Sequence, residues 1–224
     1  MKLNNKRTIL VGLAFLSICA FWQMYDSIVP LILTKTFHMN ETFSGAIMAA
    51  DNILALFLLP FFGSVSDKSH SKLGKRMPFI LFGTGCAIIL MNILPLLDNS
   101  YAAQPSGFKT ASFVIVLGLL LVAMGTYRAP AVALMPDVTP KPLRSRANAI
   151  INLMGAVGGI LYLGVAAVLY PNSKTAGLDH VNYQPLFIVV SAIMFVAVAV
   201  LFLTIREPKL TAENQALEKQ HPEW

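Results

Sequence analysis

The sequence predicts an all-α, polytopic membrane protein with six transmembrane helices. Three observations carry that prediction. Hydrophobic residues make up 56% of the chain and charged residues only 12%, against about a quarter charged in an ordinary soluble domain, and the mean hydropathy is +0.65. The apolar residues gather into six runs of about 20 residues or more, each long enough to cross a hydrocarbon core roughly 30 Å thick. Lysine and arginine collect in alternate connecting loops, the pattern that holds one side of a membrane protein in the cytoplasm.

The runs are taken in order as residues 8–33, 42–62, 77–97, 111–135, 147–170 and 185–205. The first, after MKLNNKR, has the basic head of a signal peptide but continues to Leu33, too long for a cleaved leader. Ile18 before Cys19 is also a poor fit to a lipoprotein cleavage site. The second and third runs flank the loop from Gly63 to Pro78, GSVSDKSHSKLGKRMP, which carries Lys68, Lys72, Lys75 and Arg76. An even number of spans puts both termini on that loop's side. Of the 17 lysines and arginines, Lys35, Lys109 and Lys174 fall on the opposite side and Arg128 inside a span, which leaves thirteen with the termini. The termini are therefore expected in the cytoplasm of a cell (plasma or inner) membrane. Residues 1–205 form the bundle; residues 206–224 are a polar, partly helical tail that reads like the start of a linker.

Several classes drop out. The net charge of +6 is explained by loop topology and anionic lipid, so no nucleic acid is expected. Cys19 and Cys86 lie in apolar runs and predict no disulfide framework. None of the four histidines sits in a span or at metal-ligand spacing, so neither metal nor cofactor is expected. Tyr25 with Asp26 resembles half of an intramembrane aspartyl protease site. The matching Gly-x-Gly-Asp is missing, since Met48, Ala49 and Ala50 precede Asp51; an enzyme is not predicted.

Two loops carry a family resemblance. Gly63, Asp67, Lys68, Gly74, Lys75 and Arg76, with an insert at 69–73, resemble the signature loop between helices 2 and 3 of the major facilitator superfamily. Pro130, Asp137, Arg144, Arg146, Ala147 and Asn148 resemble its helix 4 to helix 5 connection, in the branch of glycoside-pentoside-hexuronide cation symporters and sucrose/proton symporters. The resemblance implies one half of a twelve-helix carrier, built as a 3+3 inverted repeat, moving a sugar or glycoside by secondary active symport. It implies a charge network latching the cytoplasmic face through Asp67, Asp137, Arg144 and Arg146, with Asp67 packed against the missing half. The chain then reads as a fragment, or as a half-transporter that needs a second six-helix half or another copy; a non-transporting membrane scaffold is the alternative. The sodium-coupled branch adds acids one turn apart in helix 2. Here NILALFLLPFF follows Asp51 without one, which favours a proton over sodium.

Three formally charged residues lie inside the spans: Asp26, Asp51 and Arg128. Each costs about 2.5 to 3.5 kcal/mol at a helix centre, so such residues face a cavity and one another. Two carboxylates against one guanidinium leave one carboxylate without a counter-charge, as a proton-coupled carrier requires. By helical rise Asp51 lies near the midplane, with Asp26 nearer the outer side and Arg128 nearer the inner, so Asp51 is the expected link. The alternatives are an interfacial Asp26 and an Arg128 that snorkels to headgroups. Trp22 and Gln23 precede Asp26 by one turn, an aromatic ring and an amide suited to a sugar, unless Trp22 packs against lipid. Asn148, Asn152, Gly155, Gly159 and Tyr162 form one stripe on helix 5, with the glycines expected to pack and the asparagines open to either role.

Overall fold

The computed structural model describes residues 3–223; Met1, Trp224 and Lys2, one of the cations counted for orientation, lie outside the described residues. Helix α1 spans Asn5–Leu31 and continues as one π-helical stretch, Ile32–Thr36; α2 spans Glu41–Asp67, α3 Met77–Ala103, α4 Gly107–Asp137, α5 Arg144–Leu169, α6 Gln184–Thr204 and α7 Glu207–Gln220. The first six are long and apolar enough to cross a membrane. Side-chain caps open the first two. The Asn4 Oδ1 accepts from the Arg7 N–H at 3.0 Å and the Asn40 Oδ1 from the Thr42 N–H at 2.9 Å, each satisfying a donor that has no partner inside the helix. Several boundaries differ from the sequence expectation: α2 runs on to Asp67, so Gly63 to Asp67 are helical rather than part of the loop, and α4 begins at Gly107. α3 runs on to Ala103, so Asp98 and Asn99 are helical rather than in a loop, and α5 begins at Arg144, before Ala147.

Packing follows a pattern of two related halves. α1 contacts α5, α6 and α2, and α4 correspondingly contacts α2, α3 and α5, while α3 and α6 contact each other. Exchanging helices 1, 2 and 3 for 4, 5 and 6 maps these contacts onto one another, as in a 3+3 repeat, and the match is not complete, because α5 also packs on α6 without an equal α2–α3 contact. α1 is the most enclosed helix. α2 is the opposite: only Ser44 and Ser66 of its 27 residues are buried, and most of its length faces lipid or a partner.

Glycines set the two closest approaches. A Cβ on Gly158 of α5 would run into the Leu16 carbonyl of α1, and one on Gly83 of α3 would stand 2.7 Å from the Tyr127 backbone nitrogen of α4. Such backbone-to-backbone contact is how helices associate in lipid, where burial gives no hydrophobic gain. Gly159, expected at such a contact, is looser: its nearest atom is the Gln23 Oε1 at 3.8 Å. The phase of the small-residue stripe is thus shifted by one residue, with Gly155 still against Cys19. α1 and α4 are pinned by the buried Tyr127, whose hydroxyl donates to the Ala14 carbonyl at 3.0 Å and is hydrogen-bonded to Ser17.

Candidate functional site

The pinning of Tyr127 fixes the next residue, Arg128, against α1. Its guanidinium carbon stands 5.6 Å from the centre of the Trp22 ring, a cation–π contact that stabilises a charge at membrane depth. Trp22 meets Phe21 and Tyr25 edge-on, both at 5.3 Å between ring centres. The ring expected to meet a sugar therefore already has neighbours on several sides. Across from it, α2 brings Asp51, Leu54 and Leu58, and together with Leu121, Gly125 and Arg128 these close a cavity of about 20 Å³. That volume holds about one water molecule and no sugar.

Asp51 shares this cavity with Arg128 but no ion pair joins them among the described residues; its Oδ1 accepts instead from the neighbouring Asn52 Nδ2 at 2.7 Å. Asp26 is exposed on α1 and within electrostatic range of Asp51. Asp51 thus shares a cavity wall with Arg128 and lies within electrostatic range of Asp26. Two buried polar atoms here, the Trp22 Nε1 and the Tyr25 hydroxyl, have no hydrogen-bond partner among the described residues. A buried donor left unpaired costs about 1–3 kcal/mol. Gln23 is exposed one turn before Asp26 and beside Gly159. Asn148 and Asn152 are exposed on α5 and do not line the cavity.

The end of the bundle that carries α7, the tail end, is wired differently. Arg76 is buried just ahead of α3, and its Nε donates to the Asp137 Oδ2 at 2.8 Å while its other nitrogens donate to Asp67 and Ser66. Burial works against its charge, and the carboxylates of Asp137 and Asp67 outweigh that, holding its pKa above the ordinary arginine value. The sequence reading places the partner of Asp67 outside this chain, whereas here Arg76 takes that position. The carboxylate of the buried Glu207 accepts from the backbone N–H groups of Lys75, Arg76 and Met77, at 2.7, 2.9 and 2.8 Å, and so caps α3. Gly74 is required at this contact: its φ is +113°, and a Cβ there would enter the Glu207 carboxylate. Arg144 reaches the Pro136 carbonyl at 2.9 Å and Glu218 at 2.8 Å. The Asn214 Nδ2 donates to the Asp137 carbonyl at 3.1 Å. Arg146, Lys68 and Lys75 have exposed side chains and join no ion pair among the described residues. Glu207, Asn214 and Glu218 were outside the sequence expectation; the acid directly before Pro208, at the head of a helix, is the signal that marks Glu207.

The family model described as Major Facilitator Superfamily matches residues 11–223. The chain is similar to the sucrose transport protein SUC3 of Arabidopsis thaliana, 35% identical over 158 residues, which covers 65% of this chain and 26% of that protein. It is 36% identical over 154 residues to the sucrose transport protein SUT3 of Oryza sativa subsp. indica, covering 62% and 30% respectively. Solute carrier family 45 member 3 of Homo sapiens is 25% identical over 186 residues, covering 81% and 34%. The matches span roughly a third or less of each relative's length.

Proposed function

The chain belongs to the Major Facilitator Superfamily, and we propose that it forms one half of a secondary transporter for a sugar or glycoside, driven by symport of a proton. It is a multi-pass membrane protein; in this reading its termini lie in the cytoplasm of a cell membrane, on the side favoured by its cations. The observation that carries the proposal is the juxtaposition of Trp22, Asp51 and Arg128 around one small cavity, with Asp26 in electrostatic range. Sucrose transport in the names of two relatives supports a sugar as the solute.

The mechanism follows from what the cluster lacks. Asp26 and Asp51 face a single guanidinium, so the carboxylate left without a counter-charge takes a proton, and Asp51, in reach of both other charges, couples that proton to Arg128. Arg128 rests on the Trp22 ring with no carboxylate bonded to it, and with Asp51 neutral its guanidinium is available to hydrogen-bond a solute hydroxyl. The sugar itself sits in front of Trp22 and Gln23, in space that a second six-helix unit closes. That unit is in the same polypeptide or another copy of the chain. The exposed polar groups of Gln23, Asp26, Asn148 and Asn152 support an open wall of this kind.

Labelled sucrose entering vesicles that hold the chain, under an imposed inward proton gradient, tests the proposal. Uptake above empty vesicles, abolished by Asp51→Asn, supports it. Uptake that survives Asp51→Asn rejects the coupling role, and a chain that neither moves nor binds the sugar is a scaffold instead.

A further inference from the structure

Two hollows at the tail end share one wall. The first, about 410 Å³, is lined by Lys6 and Arg7 from the first turn of α1 and by Arg206 and Lys209 at the start of α7. The second, about 380 Å³, shares Ile205, Arg206 and Lys209 with it and continues over Phe202 and Leu203 of α6. Leu203 is 78% exposed, on a helix that crosses the membrane, so this second hollow opens toward lipid.

The first hollow is under-neutralised. Its one acid, Glu213, lies 3.9 Å from Lys209, with both side chains largely in solvent, a pair that offsets little charge. Lys6, Arg7 and Arg206 join no ion pair among the described residues. Four cations around one cavity repel one another unless an anion lies between them. The N-terminal ends of α1 and α7 add the positive pole of each helix to the same field, with Asn4 taking the Arg7 N–H. This is the reverse of the Arg76 network nearby, where each charge is met inside the chain.

We propose that the two hollows together hold one anionic phospholipid, its phosphate among Lys6, Arg7, Arg206 and Lys209 and an acyl chain across Ile205 onto Phe202 and Leu203. A basic pocket beside transmembrane helices at headgroup level is the setting in which anionic lipids bind. The second hollow has Lys72 on its wall as well, but its Leu73, Met77, Phe202 and Leu203 offer an acyl chain an apolar contact that a soluble phosphate cannot use, and this is what selects a lipid. The site lies at the joint between α6 and α7, so the bound lipid seats the tail helix against the bundle. The proposal is independent of any transported solute.

Native mass spectrometry of the full chain, released from detergent with phosphatidylglycerol or phosphatidylcholine present, tests it. Phosphatidylglycerol is expected to stay bound where phosphatidylcholine does not. Arg206→Gln with Lys209→Gln lowers its retention roughly thirtyfold, at about 1 kcal/mol for each cation removed. Lys68→Gln with Lys75→Gln, the same charge loss outside the hollow, changes it by less than about twofold on that basis. Should the first pair loosen α7, Lys6→Gln with Arg7→Gln removes charge from α1 instead and is expected to give the same loss. Equal retention of the two lipids, or equal effects of the pocket and control pairs, overturns the site. Displacement of phosphatidylglycerol by glycerol phosphate overturns the lipid and leaves a soluble-anion site.

Discussion

The tail-end network and the cluster at membrane depth hold similar side chains and treat them in opposite ways. Arg76 finds Asp137 and Asp67, Glu207 takes three backbone N–H groups, and Arg144 takes Glu218 and a carbonyl. At membrane depth Arg128 rests on an aromatic ring with no carboxylate bonded to it, Asp26 faces outward, and Trp22 and Tyr25 keep unpaired polar atoms. Unsatisfied polarity is costlier in lipid than at a polar end, so the chain is least saturated where saturation is worth most. Saturated charge holds a fold together; charge left spare is available to something that comes and goes.

The largest expected effect lies in the first region. Arg76→Ala leaves Asp137 half-buried without its cation and is expected to cost about 3–5 kcal/mol, read as a large drop in melting temperature in detergent. Glu207→Gln weakens the charge-assisted cap and is expected to cost about 1–3 kcal/mol, with faster hydrogen exchange at the amides of residues 75–77. The second region is expected to respond in reverse order. Asp51→Asn removes a charge from membrane depth and is expected to leave stability unchanged or raised by about 1 kcal/mol while proton coupling disappears. Trp22→Phe deletes an unpaired donor and is expected to change stability by less than about 1 kcal/mol while weakening sugar binding. A loss from Asp51→Asn as large as that from Arg76→Ala breaks the comparison.

The spans were legible because apolar length is a property of each segment alone. The basic loops were legible for the same reason, through residues 63–78 and 127–148. What was hidden is pairing across distance. Glu207 lies far along the chain from Lys75 and in a tail whose composition reads as solvated, so its place at the start of α3 depends on α7 folding back. Arg76 looks like its neighbours Lys72 and Lys75 in sequence, and only the depth of its packing separates it from them. On α5 the expected stripe through Gly155 and Gly159 misses Gly158, which makes the closest contact, and Asn148 and Asn152 do not line the cavity. The expected order of Asp26, Asp51 and Arg128 by depth rests on 1.5 Å of rise per residue, which ranks groups along the membrane normal and leaves which helix faces meet to the packing.

Trp22 offers the most direct test of the claim that the cluster at membrane depth is a ligand site. The chain has two tryptophans, so Trp224→Phe leaves Trp22 as the sole indole emitter. Titrating sucrose into that protein is predicted to change its emission saturably, with the response weakened by Asp51→Asn at an unchanged melting temperature. No sugar-dependent change, or one that Asp51→Asn leaves intact, contradicts the account.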